Sequence, residues 1–157
     1  MFDDFNKFNQ AIYELNGQID TLIKEFSVDK YEIVGHLTKY LILLISGYFE
    51  KYFYFIIETS LVSKQTSEEF KKYILDDLKN ITSLKPSKLK TILDKFDETW
   101  KNQLDQNQIS ALGNIIRTRN DIAHCNNTNI SKEDYINHFE QAKQLLNFIE
   151  KELFGKI

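Results

Sequence analysis

At 157 residues, with one cysteine, one proline and five glycines, the chain has the length of one domain able to bury a real core, and the composition excludes a disulfide framework. A formal charge of -3 and a pI near 5.6 exclude a protein that holds nucleic acid by a broad basic surface, so any such contact must be local. No basic stretch followed by an apolar run and a small-residue cleavage site opens the chain, which together with the lone Cys125 points to a cytoplasmic protein.

With so few prolines and glycines, nothing resembles the turn-rich alternation of a sheet protein, and the class is all-α. Phe5, Phe8, Ile12, Leu15, Ile19, Leu22 and Phe26 recur at three- and four-residue steps and predict a first amphipathic helix over about Asp3 to Phe26. Asp29 with Glu32 has the spacing of a cap and starts a long central helix to about Val62. Within it "YLILLISGYFEKYFYFII" is the most membrane-like stretch. Its uninterrupted apolar part ends at Phe49, before Glu50 and Lys51, whereas a spanning helix needs about 20 apolar residues. The stretch therefore reads as a helix buried on most sides, with the two charges at a crossing point or an opening, and no membrane partner is expected.

Thr66 and Glu69 repeat the capping pattern and predict a third helix through roughly Asn80. Pro86 suits the first turn of a fourth, whose apolar face carries Leu89, Ile92, Leu93, Phe96 and Trp100. Beyond the polar "DQNQ", a shorter helix carries Leu112, Ile115, Ile116 and Ile122. Asn126 to Asn129 form a loop, and Ser131 with Asp134 caps a last helix bearing Tyr135, Phe139, Leu145, Leu146, Ile149 and Leu153. The whole, residues 1–157, reads as one helical bundle of four to six helices without repeats or linkers.

Searches for familiar chemistry mostly fail. The chain has no glycine-rich phosphate loop, no His-Glu-x-x-His and no Cys-x-x-Cys, and its three histidines are far apart in sequence, so no metal or cofactor is expected. Asp76 with Asp77, and Glu68 with Glu69, read as solvated helical faces. His36 reads as structural and Cys125 as an inert thiol.

The stretch "RNDIAH", residues 119 to 124, is different. On a continuing helix Asn120 lies one turn before His124 and can touch the imidazole, and Arg117 can pair with Asp121. Arg119 and His124 are five apart and point about 140° away from each other. Either the helix breaks near His124, or Arg119 serves a site completed by another chain. A plainer reading is also open: Arg117, Arg119 and His124 complement the negative end of a helix, with Asn126 or Asn127 as a left-handed cap.

In its setting, "RNDIAH" resembles the signature of the HEPN superfamily, an Arg and a polar residue followed by a His near a helix end. The chain is most similar to the RiboL-PSP-HEPN group, because "LILLISGYFEKYF" looks like that group's second helix and "LKTILDKFDETW" followed by "LGNIIRTRNDIAH" has its order. The likeness runs from about His36 to the last helix. It implies an all-α bundle that pairs as a two-fold dimer. It also implies a metal-independent endoribonuclease of the toxin or anti-phage defence type, acting on RNA and accompanied by an antitoxin or defence-system partner. Arg119, Asn120 and His124 take the motif positions. From the residues themselves, Glu50 amid apolar neighbours suggests a partner such as Arg117 or Arg119, with an exposed helix position as the alternative, and Glu50, Arg117 and Asp121 are candidate supporting residues. Cys125 stands where a Gly is common. Asn126 stands where toxins paired with nucleotidyltransferase antitoxins carry a modified tyrosine, so that form of control is not expected.

These residue types suit RNA cleavage. The 2′-OH is the nucleophile; it needs a base, the 5′-oxygen needs an acid, and the crowded phosphorane needs positive charge. Histidine can take either proton role, and arginine offers a fixed fork of donors to phosphate oxygens. The alternative is a non-catalytic dimer of the same fold that binds RNA, a nucleotide or a partner protein as an adaptor or immunity factor.

Overall fold

A computed structural model describes residues 2–25, 31–79, 83–125 and 131–155. Within them the chain forms α1 (Phe2–Lys24), α2 (Tyr31–Ser63), α3 (Glu68–Lys79), α4 (Pro86–Asp94), α5 (Trp100–Gln103), α6 (Gln106–Ala123) and α7 (Lys132–Phe154). These seven helices exceed the expected four to six, for a local reason. The predicted fourth helix ends at Asp94, turns through Lys95 and Phe96, and restarts as the four-residue α5 at Trp100. The side chains still act together: the rings of Phe96 and Trp100 stack at 6.3 Å. The third helix is capped one residue later than the spacing suggested, since Ser67 Oγ, and not the Thr66 hydroxyl, accepts from the N–H of Phe70 at 3.3 Å. Phe26, the Asp29 cap and the loop at Asn126 to Asn129 lie outside the described residues.

The long helices α1, α2, α6 and α7 make an up-and-down bundle whose register follows from side-chain contacts. Asn114 meets His138 and Gln108 meets Gln144, so α6 and α7 run antiparallel. Tyr13 bonds Glu140 and Lys132 pairs with Asp20, so α1 is antiparallel to α7 as well. α2 runs parallel to α7, with Phe49 edge-on to Phe139 and the Tyr52 hydroxyl donating to Glu150 at 3.0 Å. Short α3, α4 and α5 fill the crossover from α2 to α6.

By length and composition α2 could cross a membrane, but more than half of its most apolar window is buried inside the fold. Leu41, Ile42, Ile45, Phe49, Phe53, Ile56 and Ile57 are core residues, enclosed by α1, α3, α6 and α7. Each such side chain contributes on the order of 1.5–3 kcal/mol by leaving water. The expected break in the apolar run is visible: Glu50 is half-buried, while Lys51 is exposed with its Nζ 5.8 Å from the centre of the Phe8 ring. Ile12, Leu15 and Ile19 of α1, and Tyr135, Phe139, Leu145, Leu146, Ile149 and Leu153 of α7, are buried as their periodicity requires. His36 is exposed on α2, its Nε2 3.7 Å from Glu32.

Candidate functional site

The side chains of "RTRNDIAH" are sorted by one anchor. Thr118 is buried, its hydroxyl donates to the Asn114 carbonyl at 3.1 Å, and it faces the core residue Tyr135 of α7. With 100° per residue, fixing Thr118 inward sends Arg117 and Arg119 to opposite flanks of α6. Arg117 is exposed and Arg119 half-buried.

Arg119 makes one side-chain hydrogen bond among the described residues and acts on one carboxylate through its charge. Its Nη1 donates to Asn120 Oδ1 at 3.2 Å, and its charge acts on Glu50 of α2. Burial raises the Glu50 carboxyl above its ordinary value, while the Arg119 charge and the Leu84 backbone pull it back down. One carboxylate oxygen, Oε1, is buried with no hydrogen-bond partner among the described residues. Glu50 also borders a largely apolar cavity of about 450 Å³ with Phe5, Phe53, Leu78 and Leu84. Of the two arginines expected as partners of Glu50, Arg119 is the one whose charge acts on it, and Glu50 is half-buried where an exposed position was the alternative.

α6 does not break before the histidine. It runs to Ala123, His124 occupies the C-cap, and the His124 N–H donates to the Asn120 carbonyl at 3.0 Å. The next residue, Cys125, takes the left-handed conformation at φ 56. That is the helix-ending position glycine favours, which accounts for the departure at Cys125 without disturbing the helix. The His124 side chain is exposed, and its ring has no hydrogen-bond partner among the described residues. Arg119 and His124 therefore keep the divergence of about 140° that a continuous helix imposes.

The Asn120 Oδ1 accepts from Arg119, and no hydrogen bond joins Asn120 to the His124 ring among the described residues. Arg117 turns back one turn and donates to Asn114 Oδ1. Asn114 in turn meets His138 Nε2 at 3.2 Å, a contact that no short motif announces because its two residues lie on separate helices. Asp121 is half-buried beside Arg117 and Asn120, at a groove between α4 and α6.

No curated protein and no solved structure matches the chain. The model of the RiboL-PSP-HEPN family matches residues 5–154, beginning a helix earlier than the motifs that carry the likeness. HEPN domains are commonly endoribonucleases and typically dimerise and bind RNA. With that match spanning nearly all of α1 to α7, and with an arginine and a histidine placed at the end of a bundle helix, the chain belongs to the RiboL-PSP-HEPN family.

Proposed function

We propose that this protein is a metal-independent endoribonuclease of the toxin or anti-phage defence type, working in the cytoplasm as a homodimer whose sites form across a two-fold axis. One observation carries the reading. The Arg119 guanidinium bonds Asn120 and acts on the Glu50 charge, while the exposed His124 ring at the same helix end has no hydrogen-bond partner among the described residues. A half-buried arginine so placed suits phosphate binding, and an exposed imidazole suits proton transfer.

Because the two side chains diverge within one chain, the site joins Arg119 of one protomer to His124 of the other. Two-fold pairing also brings two histidines together. One takes the proton from the 2′-OH, whose oxygen attacks phosphorus and forms the 2′,3′-cyclic phosphate. The bond from phosphorus to the 5′-oxygen breaks, and the second histidine delivers the proton that the leaving 5′-oxygen needs. Arg119 donates to the non-bridging oxygens as their charge grows.

The test is incubation of the purified protein with total RNA in the presence of chelator. The expected result is cleavage that spares DNA, leaves a 2′,3′-cyclic phosphate and a 5′-hydroxyl, and stops at a single 2′-deoxy sugar placed at the cut site. Activity that vanishes in chelator and returns with magnesium would overturn the reading. A folded dimer inert towards RNA would instead favour a non-catalytic binding role.

A further inference from the structure

Gly113 and Pro86 set the distance between α4 and α6. A Cβ built at Gly113 would stand 3.3 Å from Cγ of Pro86, so the glycine allows the first turn of α4 to ride directly on α6. The two helices then border a groove of about 540 Å³, with Lys85 and Ser87 on one side and Arg117, Asn120 and Asp121 on the other. Gly113, Arg117, Asn120 and His124 follow one another at steps of four, three and four, which place them on one face of α6. The groove leads along that face to the candidate proton-transfer group.

The lining is basic on balance, Lys85 and Arg117 against Asp121, in a chain whose 20 lysines and arginines are outnumbered by 23 acids. Lys85 is exposed and has no ion-pair partner among the described residues. Arg117 donates to the neutral amide of Asn114. Asp121 is the one acid that lines the groove.

We propose that this groove binds the backbone of single-stranded RNA beside the cleaved bond, with Lys85 and Arg117 neutralising phosphates on the path to His124. The ligand's identity rests on the ribonuclease reading; the groove rests on its own geometry. A single strand fits the chemistry, since attack by the 2′-OH in line with the leaving 5′-oxygen needs a backbone free to splay, and a stacked duplex resists that. A locally basic track also reconciles nucleic-acid binding with an acidic chain.

The probe is a fluorescein-labelled single-stranded RNA of about 12 nucleotides, long enough to cover one binding track. Its anisotropy is read across a salt series with full-length His124→Ala protein as the parent, so that RNA stays intact. Lys85→Glu in that parent should weaken binding about tenfold or more. Lys85→Ala should reduce the slope of log affinity against log salt by about 0.7, the amount expected for one lost single-strand phosphate contact. The same charge reversal at exposed Lys39, away from the groove, should change affinity less than twofold.

Equal affinity and slope in the parent and both Lys85 variants overturns the groove. So does an equal loss from Lys39→Glu, which would indicate only a net-charge effect. Cleavage by otherwise wild-type protein, assayed alongside with and without Lys85→Glu, separates the two readings. Unchanged cleavage by the Lys85 variant sinks the groove and leaves the ribonuclease standing. Binding that depends on Lys85 in a protein that never cleaves keeps the groove and sinks the ribonuclease.

Discussion

The two ends of α6 are finished in opposite ways. At its start the Asp105 carboxylate accepts from the N–H groups of Asn107 at 2.7 Å and Gln108 at 3.1 Å. At its finish no basic residue occupies the last turn, His124 serves as C-cap through its backbone, and Cys125 bends the chain at φ 56. A helix that only has to stop would take a glycine in the left-handed position and a lysine near its last carbonyls. The first end is closed by a side chain that serves stability. The second leaves an exposed imidazole and a half-buried arginine on diverging sides of the helix, and it is the end to which the proposed ribonuclease reading assigns the chemistry.

The contrast is tested most strongly at the open end. His124→Ala and Arg119→Ala should each lower RNA cleavage by about 100-fold or more, the scale of losing a proton-transfer group or a phosphate donor. His124→Ala should melt with the wild type, because its exposed side chain makes no hydrogen bond among the described residues. Arg119→Ala leaves Glu50 without its facing cation and should melt somewhat lower while remaining a folded dimer. Asn120→Ala, which frees Arg119 without removing it, should weaken cleavage less than either. Near-normal cleavage by either of the first two variants would remove that residue from the site.

Mixing those two inactive proteins under subunit exchange sharpens the point. Random pairing gives half mixed dimers, each with one complete Arg119–His124 site of two, so about a quarter of wild-type activity should return. If proton transfer needs both histidines, the mixture stays inactive, and exchange of wild-type subunits with excess His124→Ala should then depress activity below simple dilution. No recovery together with loss only in proportion to dilution means that each protomer works alone.

The sequence made α1, α2 and α7 legible because each carries a strong three- and four-residue apolar rhythm, and Ile12, Phe49 and Phe139 are buried where that rhythm puts them. Leu89, Leu93 and Trp100 share such a rhythm too, yet the helix between them is broken at Lys95 to Thr99. There the Asp97 carboxylate accepts from both the N–H and the hydroxyl of Thr99, a local alternative that competes with helix and leaves periodicity unchanged. At the site, the positions of Arg119 and His124 could be read, and Arg119 could be named with Arg117 as a candidate partner of Glu50. The bonds that Arg119 and Arg117 donate to Asn120 and Asn114 could not, since each arginine has several polar neighbours within reach. The α4–α6 groove had one visible trace, a glycine inside a helical pattern at Gly113, which marks a close approach without naming Pro86 as what approaches.

Asp105→Ala tests the closed end. Losing an N-cap of this kind costs about 1 kcal/mol, which for a domain of this size lowers the melting temperature by about 2–4 °C. Cleavage per folded molecule should not change, the reverse of His124→Ala. A large loss of activity at unchanged melting temperature would erase the distinction between the two ends.

Cys125→Gly should move stability the other way. A side chain in the left-handed region costs about 1–2 kcal/mol, and glycine returns part of that through its freer unfolded chain, leaving a net gain of up to about 1 kcal/mol. Thermal melting reads it directly. A loss of stability would mean that the thiol makes contacts worth more than the strain at φ 56.

The smallest expected effect concerns the charge behind Arg119. Burial outweighs the attraction of Arg119 at Glu50, so the carboxyl titrates above its ordinary value of 4.5. Between that value and its raised value in the fold, the folded protein holds more proton than the unfolded chain. Stability therefore falls as pH rises through that window and stays lower above it. Glu50→Gln keeps an oxygen that can accept from the Leu84 backbone and removes the buried charge. Its melting temperature should equal or exceed that of the wild type at neutral pH, and the two curves should converge as pH falls through the window. Should the variant instead melt lower at neutral pH, with the gap widening as pH rises, the attraction between Glu50 and Arg119 would outweigh burial, and the carboxylate would be a net support of the arginine instead of a cost carried to position it.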